Sequence, residues 1–481
     1  MRKYFILILF LSGGFLFAQE QSENTEGTYK KRVLESIEVD FLMSYYQQDG
    51  DHASVTGGIG TEELKDITPT FIVAIPLNAD DVLTVDIGIS AYTSASSSNL
   101  DPFDASGASQ GDDDDDDRSV RASTIKGSPW IESSGASSGD VWFGTSIGYA
   151  HSSDDRNSIV SANVNFASEY DYTSFGFGGG YTRLFNEKNT EVGIKAQVYL
   201  DTWNPKYPTE LDSYLEADSD LNNGFFEGVD ILDQQGNIID KDGPVVWAPQ
   251  FDFISDKSRT SYSVSFSFSQ ILTKNAQISF FLDVVQQKGW LSNPMQRVYF
   301  DGPDYFIGDP AYIEHYKLPT NERVFQLADD IEQLPDTRFK IPIGMRFNYY
   351  INERVSLRTY YRYYYDDWGI TGHTISLEVP IKIGDKFTVY PNYRFYTQTA
   401  ADYFAPFNTA KSTDKYYTSD YDLSAFDSHQ YGLGIKYTDL LTKTKLLTFG
   451  LKSIDLRYAN YTRSDGLDAG IISFGIKFVQ Q

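Results

Sequence analysis

The chain has 481 residues, a formal net charge of -27, no cysteine, 35 Tyr and 33 Phe. So acidic a chain is ill suited to bind nucleic acid, whose phosphates call for a cationic surface. The lack of cysteine excludes disulfides, zinc ribbons and thiol catalysis.

The N-terminus points to export. Arg2 and Lys3 form a basic start, and Tyr4 to Phe17 is apolar but too short to span a bilayer as a mature helix. Ala18 follows. The pattern predicts a signal peptide over residues 1–18, cleaved near Ala18, and no cysteine follows to carry a lipid anchor. Residues 19–34 then form a periplasmic segment, and 35–481 the main domain. No later stretch is apolar for the roughly 18 residues that a membrane helix needs.

Beyond residue 35 the dominant signal is a period of two. Ser261 to Ile271 alternates Tyr262, Val264, Phe266 and Phe268 with serines. Successive side chains of a strand point to opposite faces, so one face is apolar and the other wet. The pattern predicts about sixteen strands, near 35–48, 67–75, 82–95, 140–151, 158–167, 173–184, 191–202, 259–273, 277–290, 337–350, 355–367, 371–382, 387–398, 428–440, 445–460 and 468–479. Short connections carry turn residues such as Asn352, Gly384 and Asp385. The others include long ones, at 96–139, 203–258, 291–336 and 399–427. Short periplasmic turns and long extracellular loops mark an all-β, up-and-down transmembrane β-barrel of a Gram-negative outer membrane. Such a barrel contacts outer-membrane lipids and lipopolysaccharide. Barrel-assembly machinery is expected to engage its last strand, which carries Ile472, Phe474, Ile476 and Phe478 on one face.

Aromatics cluster towards strand ends: Tyr349, Tyr350, Tyr360, Tyr361, Tyr363, Tyr364, Tyr365 and Trp368. Amphipathic rings favour the headgroup level, which reads as a girdle. Residues Asn321 to Leu334 break the strand pattern. Val324, Leu327, Ile331 and Leu334 recur at helical spacing between Asn321 and Pro335, which predicts a helix in a surface loop.

Enzyme motifs are weak. Gly144-Thr145-Ser146-Ile147-Gly148 matches G-x-S-x-G but lies mid-strand, where no elbow exposes the serine. The histidines, His52, His151, His315, His373 and His429, mark no triad. Asp112 to Asp117 reads as a solvated loop tip, with surface collection of divalent cations as the sharper alternative. No catalytic residue, metal set or cofactor is expected. The wet face is more telling. It places Lys340, Arg346, Arg358, Tyr360, Arg362, Tyr364, Asp366, Glu378, Lys382, Tyr390, Arg394 and Tyr396 inside, as pore-lining residues or as a salt-bridge network filling the lumen.

Several segments carry a resemblance. They are Tyr45 to Asp51, Val55 to Glu62, Tyr92 to Ser96, Phe268 to Leu272, Gly289 to Pro294, Val298 to Gly302, Tyr363 to Gly369 with His373, and Tyr393 to Phe404. Together they resemble an outer-membrane β-barrel family of the Bacteroidota type, domain of unknown function 3570. The Asp112–Asp117 insert departs from that pattern. The resemblance implies an outer-membrane barrel, with no established substrate. Family members are often encoded beside a small lipoprotein, a thioredoxin-like protein and a flavin transferase, which hints at envelope redox work. The expected function is a passive channel or transport component for small hydrophilic solutes. The alternative is a scaffold barrel with a lipoprotein partner.

Overall fold

The computed structural model describes residues 31–94, 127–130, 140–320 and 323–481. Sixteen antiparallel strands close into one barrel. They are β1 (Glu38–Asp49), β2 (Leu64–Pro76), β3 (Asp81–Ser94), β4 (Asp140–Ser152), β5 (Ser158–Ser168), β6 (Tyr172–Phe185), β7 (Thr190–Trp203) and β8 (Ser258–Thr273). Then come β9 (Ala276–Gly289), β10 (Thr337–Lys340 and Ile343–Tyr350), β11 (Ser356–Tyr365), β12 (Thr371–Glu378 and Ile381–Ile383), β13 (Phe387–Gln398), β14 (Phe426–Thr438), β15 (Phe449–Arg463) and β16 (Asp468–Gln480). Each pairs with the next, and β16 pairs back onto β1 with Ile476 opposite Phe41. The breaks in β10 and β12 fall at Pro342 and Pro380, which have no N–H to give to the ladder. Ion pairs hold the closing seam. Lys477 Nζ lies 2.7 Å from Glu38 and 2.9 Å from Asp40, and Lys452 Nζ lies 2.7 Å from Glu38.

The alternation sorts the two faces. Ile194, Phe266 and Leu282 are direct neighbours on β7, β8 and β9, and all face outward. Phe266 is 44% exposed, and similar apolar side chains stand exposed along nearly every strand. So large an apolar belt is unfavourable in water and suits lipid. Among the described residues, no helix is long and apolar enough to cross a membrane.

The apolar core lies outside the staves, in the long connections of one rim. Leu211, Phe226, Ile231, Trp247, Ile307, Val324, Phe325 and Ile331 form its centre. Helix α1 (Thr209–Glu216) contributes Leu211, and a small sheet of Ile231–Leu232, Phe306–Gly308 and Val324–Gln326 contributes much of the rest. Trp247 Nε1 donates to the Ala328 carbonyl at 3.0 Å, so the indole's one polar atom is satisfied inside. The expected helix up to Leu334 is therefore absent. Its apolar residues lie on two short strands, Val324–Gln326 and Asp330–Ile331, and the turn between them. Val324, Leu327 and Ile331 are spaced as on a helix because the segment is buried on every side, which removes any periodic constraint. Asn321, the signal peptide over 1–18 and the Asp112–Asp117 run lie outside the described residues.

This loop core bridges the mouth. The β1–β2 and β9–β10 connections arise half-way round the ring from each other. Yet Arg297 Nη1, in the second, donates to the Val55 carbonyl, in the first, at 3.1 Å. Tyr299 packs on Phe407 of the β13–β14 connection with ring centroids 4.9 Å apart. His52 stacks on Tyr421 at 3.7 Å. The backbone approach is close enough to need glycine. At Gly60, with φ 96°, a Cβ would lie 1.9 Å from the Pro129 carbonyl oxygen. The barrel thus carries a cap built from its own loops.

Candidate functional site

The site is the lumen beneath the cap. Register decides which inward side chains meet. A row nearest the cap runs Gly344, Arg362, Thr374, Tyr396, Ser428 across β10 to β14. The next row runs Arg346, Tyr360, Ser376, Arg394, Gln430. The third runs Asn348, Arg358, Glu378, Asn392, Gly432. Long cationic and aromatic groups therefore alternate with small ones around the wall.

Three cavities share these walls. A cavity of about 310 Å³ near the β6–β7 turn includes Lys188, Ser279 and Arg346. It shares Arg346 and Asn348 with a central cavity of about 660 Å³, lined by Arg358, Tyr360, Ser376, Glu378, Arg394 and Arg457 among others. That cavity shares Arg394 and Gln430 with a third, of about 1280 Å³, which reaches the underside of the cap at Glu62, Glu332 and Asp420.

Glu378 organises the central part. It accepts from Arg358 at 2.8 Å and from Arg457 at 2.9 Å. Arg457 also meets Asp455 at 2.9 Å and lies 4.8 Å from the Tyr390 ring centroid. Nearer the cap, Asp366 is fully buried and accepts from Arg338 at 2.5 Å and from the Tyr364 hydroxyl at 2.8 Å. Lys340 is bridged to Asp366 through the backbone ladder. Of the twelve residues singled out by alternation, Arg346, Arg358, Tyr360, Glu378, Arg394 and Tyr396 line these cavities, and Lys340, Arg362, Tyr364, Asp366 and Tyr390 lie beside them on the same strands or at their ends. Lys382 stands apart, exposed on a three-residue strand at the rim of short turns. Trp368, expected in a girdle, turns inward instead. It is 3% exposed, with the Arg338 guanidinium 4.2 Å from its ring centroid and its Nε1 donating to the Thr337 carbonyl. Tyr349, Tyr350, Tyr361 and Tyr365 do stand exposed. Arg338, Arg457 and Arg463 were not singled out, although the same period of two carries them.

The underside of the cap is acidic. Glu332 Oε1 accepts from the Asn293 N–H at 2.6 Å, and Oε2 accepts from Thr418 Oγ1 at 2.5 Å. Burial and then the charge of Asp420 push its carboxyl up to about 8. Burial, with Asp422 next, pushes Glu62 up to about 8 and Asp420 to about 7. Arg463, held by Asp422 at 2.6 Å and Asp465 at 2.5 Å, and Arg338 oppose these rises. Carboxyls whose proton affinity rises on folding stabilise the fold fully at acid pH and lose that contribution as pH climbs through their folded values. The cap should therefore be tighter at pH 5 than at pH 9. A carboxyl that binds its proton about tenfold more tightly in the folded cap moves the opening equilibrium about tenfold between those limits. Cap cleavage by proteinase K should accordingly rise about tenfold or more from pH 5 to pH 9. Rates would be normalised to an unfolded peptide at each pH, and equal normalised rates would contradict the expectation.

The histidines sit in ordinary pairings. His151 Nδ1 lies 2.6 Å from Asp81, while His373 and His429 contact the hydroxyls of Tyr361 and Tyr393 at 2.8 and 2.9 Å. Ser146 of the G-x-S-x-G stretch lies within β4, opposite Asp86 and Asn165.

Comparison with solved structures finds distant barrels. A bacterial polysaccharide outer membrane secretin is 9% identical, covers 93% of this chain and 99% of its own, and has a TM-score of 0.40. The Pseudomonas putida toluene transporter TodX is 8% identical over 93% and 90%, with a TM-score of 0.36. The Pseudomonas aeruginosa outer membrane protein opdK is 8% identical over 93% and 99%, with a TM-score of 0.35. Likeness at this level carries no functional information. No curated protein matches the sequence. One protein family does, and it is described as "Protein of unknown function (DUF3570)". Its match runs over residues 7–468, nearly end to end, and the chain belongs to that family.

Proposed function

We propose that the protein is an outer-membrane channel for small hydrophilic solutes, closed at rest by its loop-built cap. The observation that carries this reading is the run of three cavities along the lumen, ending under loops that bridge the mouth. A lumen built only as packed filler would not keep a central space of about 660 Å³ between its arginines. The rim of long connections faces the outside, and the signal peptide is removed near Ala18. The apolar belt meets membrane lipids and, in the outer leaflet, lipopolysaccharide. Assembly machinery inserts the chain through its last strand. The protein works without catalysis. A lipoprotein partner belongs to the scaffold reading, which the bridged mouth also suits.

Two measurements test this. A cysteine introduced at Asn237 should react with an impermeant maleimide on intact cells, and one at Asn352 only after lysis. The opposite pattern would invert the topology. In planar bilayers the intact protein should conduct rarely, and conduct steadily once the cap is unlatched. Silence in both states would leave the scaffold reading.

A further inference from the structure

The central cavity has an excess of cations. Its lining holds four guanidiniums, those of Arg346, Arg358, Arg394 and Arg457, against one carboxylate, that of Glu378. Arg358 and Arg457 share that carboxylate. Among the described residues no ion pair joins Arg346, Arg394 or the adjacent Arg362 to an acid. Aromatic rings stand near two of them. Arg346 lies 5.5 Å from the Phe281 ring centroid and 5.9 Å from that of Tyr360, and Arg362 lies 5.8 Å from Tyr364. A guanidinium near a ring face and without an acid partner keeps its planar fork of donors available to a ligand.

The wall between them is recessed. Between Glu378 and the cap the inward residues of β12 are small, Gly372, Thr374 and Ser376; Tyr396 packs over Gly372 and Thr374 is buried, so Ser376 is the one that opens onto the cavity. In the register they are flanked by Tyr360 and Arg362 on β11 and by Arg394 and Tyr396 on β13. Those flanking strands are two strand spacings apart, roughly 10 Å. The recess therefore offers the Ser376 hydroxyl between the Arg346 and Arg394 guanidiniums, in a cavity of about 660 Å³ that has room for a small molecule rather than a polymer.

We propose that this recess is a binding site for small oxyanions of two or more negative charges, polycarboxylates or phosphates, which the lumen selects over neutral and cationic solutes. Planar forks that pair two N–H donors with two oxygens suit both groups. The proposal rests on the channel reading for its role in selection, but not for the binding itself. The test is therefore a direct one. Purified full-length barrel in neutral detergent is titrated calorimetrically with citrate, with inorganic phosphate and with glycerol. Heat-modifiable migration on gels reports folding of each variant. Citrate should bind saturably, and glycerol should not. Phosphate should bind more weakly than citrate if bridging two arginines matters, and comparably if one fork suffices.

Replacing Arg346 and Arg394 together by Ser should weaken citrate at least tenfold. The milder R346K/R394K pair, which keeps charge but loses the forks, should weaken it several-fold. No citrate binding by folded wild type, or equal binding by the lysine pair and wild type, would overturn the site. Binding without conductance would keep the site and remove the channel. Conductance without binding would do the reverse.

Discussion

Replacing Glu210 by Ala will open the cap. Glu210, in the first turn of α1, accepts from Arg297 through both carboxylate oxygens, with Nε at 2.7 Å from Oε1 and Nη2 at 2.9 Å from Oε2. Both side chains are completely buried. Burial works against the arginine's charge, but Glu210 restores it, so the guanidinium keeps its proton. Removing the acid leaves a cation stranded beside the Phe325 ring. Stranding one partner of a buried pair costs about 3–5 kcal/mol. The cap is a small unit with one main apolar core and a minor cluster around Phe300 and Tyr417, so a loss of that size should unfold it while the barrel persists. Protease should then cut residues 204–257 rapidly, and the heat-modifiable gel shift should stay unchanged. Exchanging both partners for apolar side chains, E210L with R297M, should recover most of the protection, because the desolvation penalty disappears with the charges. If E210A is as protease-resistant as wild type, the latch is not where the cap's stability lies.

The second large effect sits on the lipid face. Phe266 projects outward from β8 between Ile194 and Leu282. An arginine there, at mid-membrane, costs about 2–4 kcal/mol. F266R should therefore assemble poorly, with most chains failing to show the heat-modifiable form. Ser267 faces the lumen, beside Gly193 and Phe281. S267R should assemble normally, since its charge enters water. Equal assembly of both variants would mean that the outward face of β8 is not in lipid.

The barrel was legible because each stave separates lipid from water. That constraint acts on every second residue and writes a period of two from Glu38 to Gln480. It even locates the wet arginines, since a lumen position is simply the other parity. The cap was not legible, for the opposite reason. A residue such as Ile307 or Val324 is surrounded by protein on all sides, so neither neighbour must be polar and no period survives. The Glu210–Arg297 pair spans 87 residues, and neither residue differs in its local sequence from a surface charge. Trp368 misled for a related reason. At the end of a tyrosine-rich strand it looks like its neighbours, and only Arg338, thirty positions earlier, reveals that it turns in. Lys382 kept the right parity but lies beyond Pro380, where the stave runs out into the rim.

The cap's composite origin has a consequence for how the molecule is made. Its core draws residues from the connections after β7, β9 and β13, and its tethers reach the one after β1. None of these loops can find the others cheaply in an unfolded chain, because each contact would close a loop of tens to hundreds of residues. The staves bring the loop bases together first, and β16 must find β1 before the ring is complete. The lid is thus the last part of the protein to fold. It seals only a cylinder that has already been built correctly, so a nascent or mispaired barrel would stay unsealed.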